Sequence, residues 1–127
     1  GFNIFEDNKF GATGYNKKDG RAGVVLDGCV GVTVRRNHFQ GDMDEGSLEC
    51  YTNRGEDDVI REICRDHKFY DNTFKNTQRG IILASRHNRR VGGRTGPDYT
   101  ENVEVYNNTF VNVGIDYIDN GSNNTIY

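Results

Sequence analysis

Residues Val103-Glu104-Val105-Tyr106-Asn107-Asn108-Thr109-Phe110 decide the reading of this chain, because the same phrase occurs three times before them. The earlier copies are Val32-Thr33-Val34-Arg35-Arg36-Asn37-His38-Phe39, His67-Lys68-Phe69-Tyr70-Asp71-Asn72-Thr73-Phe74 and Phe2-Asn3-Ile4-Phe5-Glu6-Asp7-Asn8-Lys9-Phe10. Each is a short β-prone stretch followed by Asn, any residue, and Phe. A fifth copy opens at Asn123-Asn124-Thr125-Ile126-Tyr127. The fixed asparagines are Asn8, Asn37, Asn72 and Asn108, at intervals of 29, 35 and 36 residues. Recurrence at such a period marks stacked structural repeats.

A second apolar run, opened by a small residue, accompanies each copy. These runs are Gly23-Val24-Val25-Leu26, Ser47-Leu48-Glu49-Cys50-Tyr51, Gly80-Ile81-Ile82-Leu83-Ala84-Ser85 and Gly114-Ile115-Asp116-Tyr117-Ile118. Alternation and β-branched content predict strands. Strands this short bury a face only by stacking on their counterparts, about 4.8 Å away. Asn tolerates the left-handed backbone that a sharp bend needs, and a stacked Asn amide hydrogen-bonds the next one as a ladder. Phe10, Phe39, Phe74 and Phe110 are expected to stack inside.

With these repeats, the chain resembles the right-handed parallel β-helix proteins of the pectate-lyase-like superfamily over nearly its whole length. The resemblance implies an all-β solenoid of about three to four coils. It makes the Gly-led run the first strand of a coil and the run before Asn the second, with Phe starting the third.

Composition agrees with a thin core. The 127 residues form a single β-helix segment, with only 34% hydrophobic residues, 16 Gly and a single Pro. The net charge of −3 argues against nucleic acid as a partner. No apolar run is long enough to span a membrane. The chain opens without Met or a signal-peptide pattern, and both ends fall inside strands. The expectation is a fragment of a longer helix, completed by missing coils or by end-to-end stacking.

Cys29 lies eight residues before Asn37, and Cys64 eight before Asn72, so the two occupy equivalent positions on adjacent coils. A Cys29–Cys64 disulfide is expected from that stacking. The alternatives are a Cys50–Cys64 bridge across the base of the intervening loop, or three thiols. His67 takes the position of Val32 and Val103 and reads as a packing residue.

Three insertions, 11–22, 52–66 and 86–101, border the Gly-led strands and frame a groove there. Its floor is read by aligning Val24, Leu48, Ile81 and Ile115 inward. Asp27, Glu49 and Tyr51 then become neighbours on an exposed face, with Asp116 two coils from Glu49. The densest chemical signal is Arg86, His87, Arg89, Arg90 and Arg94, a set suited to a planar anion such as a carboxylate. The acidic run Asp42-Met43-Asp44-Glu45 is a candidate for calcium but lacks the spacing of a dedicated loop.

The resemblance implies carbohydrate work by an extracellular or periplasmic protein, with a uronate-containing polysaccharide as partner. In the lyases of that superfamily a cationic side chain neutralises the uronate carboxylate and a base removes the C5 proton. On this sequence Arg86 is the candidate neutraliser and His87 or Tyr51 the candidate base. Asp27, Glu49, Arg89, Arg90, Arg94 and Asp116 are candidate substrate-binding residues. Asp27 and Glu49 also suit a cation, calcium being the one considered, and with Asp116 a glycoside hydrolase. A non-catalytic glycan-binding or fibre module is the other reading. Paired-Asp and Asp-Pro-His signatures are absent, and no Walker loop, zinc pattern or nucleophile elbow occurs.

Overall fold

In the computed structural model, which describes residues 3–12, 23–41, 47–51, 53–54, 60–62, 64–83, 100–119 and 123–127, every element is a strand. The chain opens with β1 (Asn3–Glu6) and β2 (Lys9–Ala12). It continues through β3 (Val24–Asp27), β4 (Val32–Arg35), β5 (His38–Gly41) and β6 (Leu48–Tyr51). A small hairpin, β7 (Asn53–Arg54) with β8 (Ile60–Glu62), leads to β9 (Cys64–Arg65), β10 (Lys68–Tyr70) and β11 (Thr73–Lys75). Then come β12 (Arg79–Leu83), β13 (Thr100–Glu101), β14 (Glu104–Tyr106), β15 (Thr109–Val111), β16 (Ile115–Asp119) and β17 (Thr125–Ile126).

These strands form three main sheets, ordered β1-β4-β10-β14-β17, β15-β11-β5-β2 and β16-β12-β6-β3. Their pairings are all parallel. The chain visits the three sheets in rotation, so each strand pairs with the one reached a full circuit later. β9 and β13 make a fourth, two-stranded sheet, which Val30 extends by a bridge to Arg65. The expected insertions are therefore shorter than the sequence suggests. Gly11 and Ala12 complete β2, while Cys64–Arg65 and Thr100–Glu101 belong to the framework. Residues 13–22 and 84–99 lie outside the described residues.

The core is a column of like on like. Phe10, Phe39, Phe74 and Phe110 stack with ring centroids 4.9, 4.8 and 5.1 Å apart. Around them pack Val34, Phe69, Val105, Leu48, Ile81 and Leu83, all buried. Strand spacing of about 4.8 Å makes equal side chains in register stack this way.

The Asn ladder forms as expected. Asn8, Asn37 and Asn72 each donate a side-chain N–H to the Oδ1 of the next Asn, at 3.2, 3.1 and 3.1 Å. The same oxygens accept the backbone N–H of the Asn below. Asn37, Asn72 and Asn108 also donate an amide hydrogen to the carbonyls of Phe5, Val34 and Phe69 in the circuit below. The left-handed residue, however, is not the ladder Asn but the one before it. Asp7, Arg36, Asp71 and Asn107 have φ of 58°, 53°, 57° and 53°. The bend places that residue on the outside and turns the Asn in, where its amide meets buried backbone.

A second group of left-handed residues, Gly31, Asp66, Asn102 and Asn123, leads into β4, β10, β14 and β17 of the first sheet. Asn76 and Asn112 turn the chain from the second sheet to the third. At two of the positions where the third sheet begins a side chain would collide, although Ser47 is accommodated at the equivalent position before β6. A Cβ on Gly23 would lie 2.8 Å from Phe39 Cδ1 and from the Ser47 carbonyl oxygen. One on Gly80 would meet the Asp116 carbonyl directly and Phe110 Cε1 at 2.7 Å. Because one of these neighbours is backbone, a Gly80→Ala change is expected to cost about 1–3 kcal/mol by overpacking. A chemical melt of the variant with an unchanged midpoint would contradict this packing.

On the outer side of the first sheet, Glu6, Arg35, Tyr70 and Tyr106 stand in register. Arg35 Nε is 2.7 Å from Glu6 Oε2 and its Nη1 donates to the Tyr70 hydroxyl at 3.0 Å. Arg36 adds pairs to Glu6 and Asp7. The Asp7 carboxyl is held below its usual range by the Arg36 hydrogen bond. These pairs face solvent and contribute little to stability. The Tyr70 and Tyr106 rings stack at 4.9 Å, 5° from parallel.

Candidate functional site

The outward face of β3, β6, β12 and β16 is the expected groove floor. The first three strands pair as expected, Val24 with Leu48 and Leu48 with Ile81. β16 departs from the expected alignment: Ile81 pairs with Tyr117 rather than Ile115. Slipping by two residues keeps every side chain on its own face, so the hydrophobic alternation is equally satisfied either way. Tyr117 points inward and packs edge-on against Phe110 at 6.1 Å. Ile118, not Asp116, therefore completes the row Val25, Glu49, Ile82.

The candidate carboxylates consequently do not form one exposed stripe. Asp27 is exposed and pairs in register with Tyr51. Glu49 is only 2% exposed and its neighbour Ile82 1%, whereas Val25 on the preceding strand is 44% exposed. Asp116 is exposed, level with Gly80. The Tyr51 side chain, Arg86, His87, Arg89, Arg90, Arg94 and the acidic run at 42–45 lie outside the described residues.

A shallow concavity of mixed polar and apolar surface opens at the entrance to the same sheet. It has a volume of about 550 Å³ and is lined by Asn76, Thr77, Gln78, Arg79, Asn112, Gly114 and Ile115. The left-handed Asn76 and Asn112 create it by turning the chain sharply from β11 to β12 and from β15 to β16. Asn112 Nδ2 donates to Asn76 Oδ1 at 2.9 Å, a second and exposed amide ladder. Gly114 and Ile115 donate their N–H groups to the Thr77 and Gln78 carbonyls at 3.1 and 2.9 Å. Arg79 opens β12 at the edge of this cleft, half-buried. Amides bond sugar hydroxyls and a guanidinium bonds a carboxylate. Sequence reasoning passed over Gln78, Arg79 and Asn112. The signal was a second Asn four residues after the ladder Asn, at Asn76 after Asn72 and at Asn112 after Asn108.

A second constellation is buried at the fourth, two-stranded sheet. The bridge between Val30 and Arg65 places Cys29 directly beneath Cys64, as expected, with Thr100 above. The disulfide nevertheless joins Cys50 and Cys64, with Cα atoms 6.5 Å apart, and not Cys29 and Cys64. Stacked residues send their Cβ atoms out in parallel, whereas Cys50 and Cys64 meet across the corner that the β7–β8 hairpin closes. Cys29 remains half-buried beside them, outside the disulfide.

His67 completes the group. It is 1% exposed, and its ring stacks on Phe69 at 5.9 Å. The Val32 backbone N–H donates to its Nδ1 at 2.9 Å, as the Val103 N–H does to Asn124 Oδ1. A nitrogen that accepts a backbone N–H carries no proton, so the ring hydrogen sits on Nε2. That nitrogen is 3.1 Å from Cys64 Sγ and points its hydrogen at sulfur. Burial pushes the His67 pKa down to about 4, and the nearby Asp66 charge opposes this without offsetting it.

Cys29 Sγ, Cys64 Sγ and a His67 ring nitrogen lie within 4.8 Å of one another, close enough to invite comparison with a thiolate–imidazole metal centre. The imidazole does not fit that role. A ligating Nε2 needs its proton on Nδ1, where Val32 already donates, and a ligand His normally donates from its other nitrogen.

No family model, curated protein or solved structure matches this chain. No helix among the described residues is long and apolar enough to cross a membrane.

Proposed function

We propose that this chain is a segment of a right-handed parallel β-helix that engages an anionic, uronate-containing polysaccharide along the third sheet. The observation that carries the reading is the amide-and-guanidinium cleft at Asn76, Gln78, Arg79 and Asn112. It supplies hydroxyl-binding amides and a carboxylate-binding cation at the end of the sheet that the insertions border. Arg79 then anchors one uronate carboxylate, and the basic segment with Arg86, Arg89, Arg90 and Arg94 extends the contact.

A lyase-like reaction is the catalytic form of this proposal. Arg86 neutralises the reacting carboxylate, and His87 or Tyr51 removes the C5 proton. The hydrolase form, with Asp27, Glu49 and Asp116, has less support, because Glu49 is buried and Asp116 stands in a different row. A purely binding module is favoured instead by the exposed amide ladder and stacked tyrosines, which need no chemistry.

The test is titration with pectate, alginate, chondroitin and heparan beside a neutral glycan, while following unsaturated-uronate absorbance. Arg79→Ala is expected to weaken binding of the acidic glycan about tenfold, in line with one charge-assisted hydrogen-bonded contact of about 1.5–3 kcal/mol. Arg86→Ala and His87→Ala are expected to abolish new absorbance. Binding without absorbance leaves the module reading, and no binding by any acidic glycan ends the proposal.

A further inference from the structure

Cys64 has two cysteines inside disulfide reach. Cys50 holds it at a Cα separation of 6.5 Å. Cys29 stacks beneath it across a parallel register, at the strand spacing of about 4.8 Å, which also falls within the bonding range. The Cys29 and Cys64 sulfurs are within 4.8 Å of each other and of a His67 ring nitrogen. The imidazole offers an N–H, not a lone pair, to the shared sulfur.

We propose that Cys29, Cys50 and Cys64 form an intramolecular thiol–disulfide exchange centre, with Cys64 as the shared sulfur and His67 as its positioning residue. The step is balanced within the chain. Cys29 loses its proton to solvent, and its thiolate attacks Cys64 Sγ. The Cys29–Cys64 bond forms as the Cys50–Cys64 bond breaks, and the electron pair leaves on Cys50 Sγ, which takes up a proton. No oxidant or reductant is consumed. Negative charge at the midpoint sits mainly on the outer sulfurs, those of Cys29 and Cys50, while the His67 Nε2–H, 3.1 Å from the central Cys64 sulfur, holds that sulfur in place for attack. The Cys64 side chain rotates from Cys50 towards Cys29, with a small closing shift of the two stacked strands that brings their parallel Cβ atoms within bonding span.

Two consequences follow. The disulfide can leave the corner closed by the β7–β8 hairpin and tie two successive circuits together instead. Each state presents a different thiol, Cys29 in one and Cys50 in the other. The centre thereby links the anchoring of the hairpin, next to the proposed glycan sheet, to the thiol chemistry around it.

Trypsin separates the three cysteines into peptides 22–35, 37–54 and 62–65. The oxidised full chain would be held at pH 8.5, quenched with acid at intervals, alkylated with N-ethylmaleimide, digested and mapped without reduction. The expected result is two cross-linked pairs, 37–54 with 62–65 and 22–35 with 62–65, and label on both Cys29 and Cys50. A single pair at all times, with label on Cys29 alone, overturns the proposal, as does any 22–35 with 37–54 link. His67→Asn keeps an acceptor for the Val32 N–H, as Asn124 does for Val103, and removes the N–H aimed at sulfur. It is expected to slow the approach to the same mixture about fivefold, the worth of one neutral hydrogen bond. An unchanged rate removes His67 from the centre.

Discussion

Replacing Asn72 by Ala is expected to destabilise the protein by about 3–5 kcal/mol, more than any exposed substitution in the chain. Asn72 Oδ1 accepts both the backbone and the side-chain N–H of Asn37, and its Nδ2 donates to the Val34 carbonyl and to Asn108 Oδ1. Truncation leaves the Asn37 backbone N–H buried with no replacement and strips the Val34 carbonyl and Asn108 Oδ1 of an amide donor. Each such orphan costs about 1–3 kcal/mol, because neither partner is returned to water. The contrast is Asn112→Ala, which removes a ladder bond of the same length at an exposed corner. That variant should lose about 1–2 kcal/mol, most of it the strain of Ala at a left-handed φ and little of it the exposed bond. Denaturant melts of the two variants check this, read as a midpoint shift at constant slope. Equal losses at Asn72 and Asn112 would show that burial is not what gives the ladder its strength.

Acidification is expected to remove about 3 kcal/mol of stability through His67 alone. Its pKa is about 4 in the fold, against an ordinary 6.5, and each unit corresponds to about 1.4 kcal/mol. A depressed base is protonated more readily in the unfolded chain. The contribution is therefore complete above pH 6.5, falls as the pH drops from 6.5 towards 4, and changes no further below that. Burial is the cause, because it disfavours the charged ring. The measurement is the difference between wild type and His67→Asn across this interval, which the Asp7 carboxyl, held below its usual range, does not enter. Parallel stability curves for the two proteins would show that the ring is reached by solvent.

The parts of this fold that were legible in the sequence are those that repeat. Asn37 and Phe39 recur at Asn72 and Phe74 because ladder and ring stack only work between identical side chains one circuit apart. Asp7, Arg36, Asp71 and Asn107 share a left-handed backbone but no common side chain, so the turning residue was assigned one place late. The β16 register was ambiguous for a symmetry reason: a two-residue slip exchanges Ile115 for Tyr117 without moving any residue to the other face. Cysteine spacing gave the stacking of Cys29 on Cys64 correctly. Bond choice, however, depends on where Cβ vectors point, and the β7–β8 hairpin sets that. His67 read as packing because Val32 and Val103 occupy its position. What distinguishes it is a hydrogen-bonding role shared with Asn124, which appears only when backbone N–H groups are followed. The cleft at Arg79 was hidden because its residues are spread over two corners, each unremarkable alone.

The stacking of Tyr70 on Tyr106 gives the molecule an optical readout of its own. The chain has seven tyrosines and no tryptophan, so no indole drains or masks the phenol signal. Two parallel phenol rings 4.9 Å apart couple their electronic transitions, which should give near-ultraviolet circular dichroism a paired band that separated rings do not show. A slip between β10 and β14 would erase that band while leaving the rest of the spectrum in place. Local loosening at one step of the stack can thus be watched without a label, in the same sample and at the same time as the global melt.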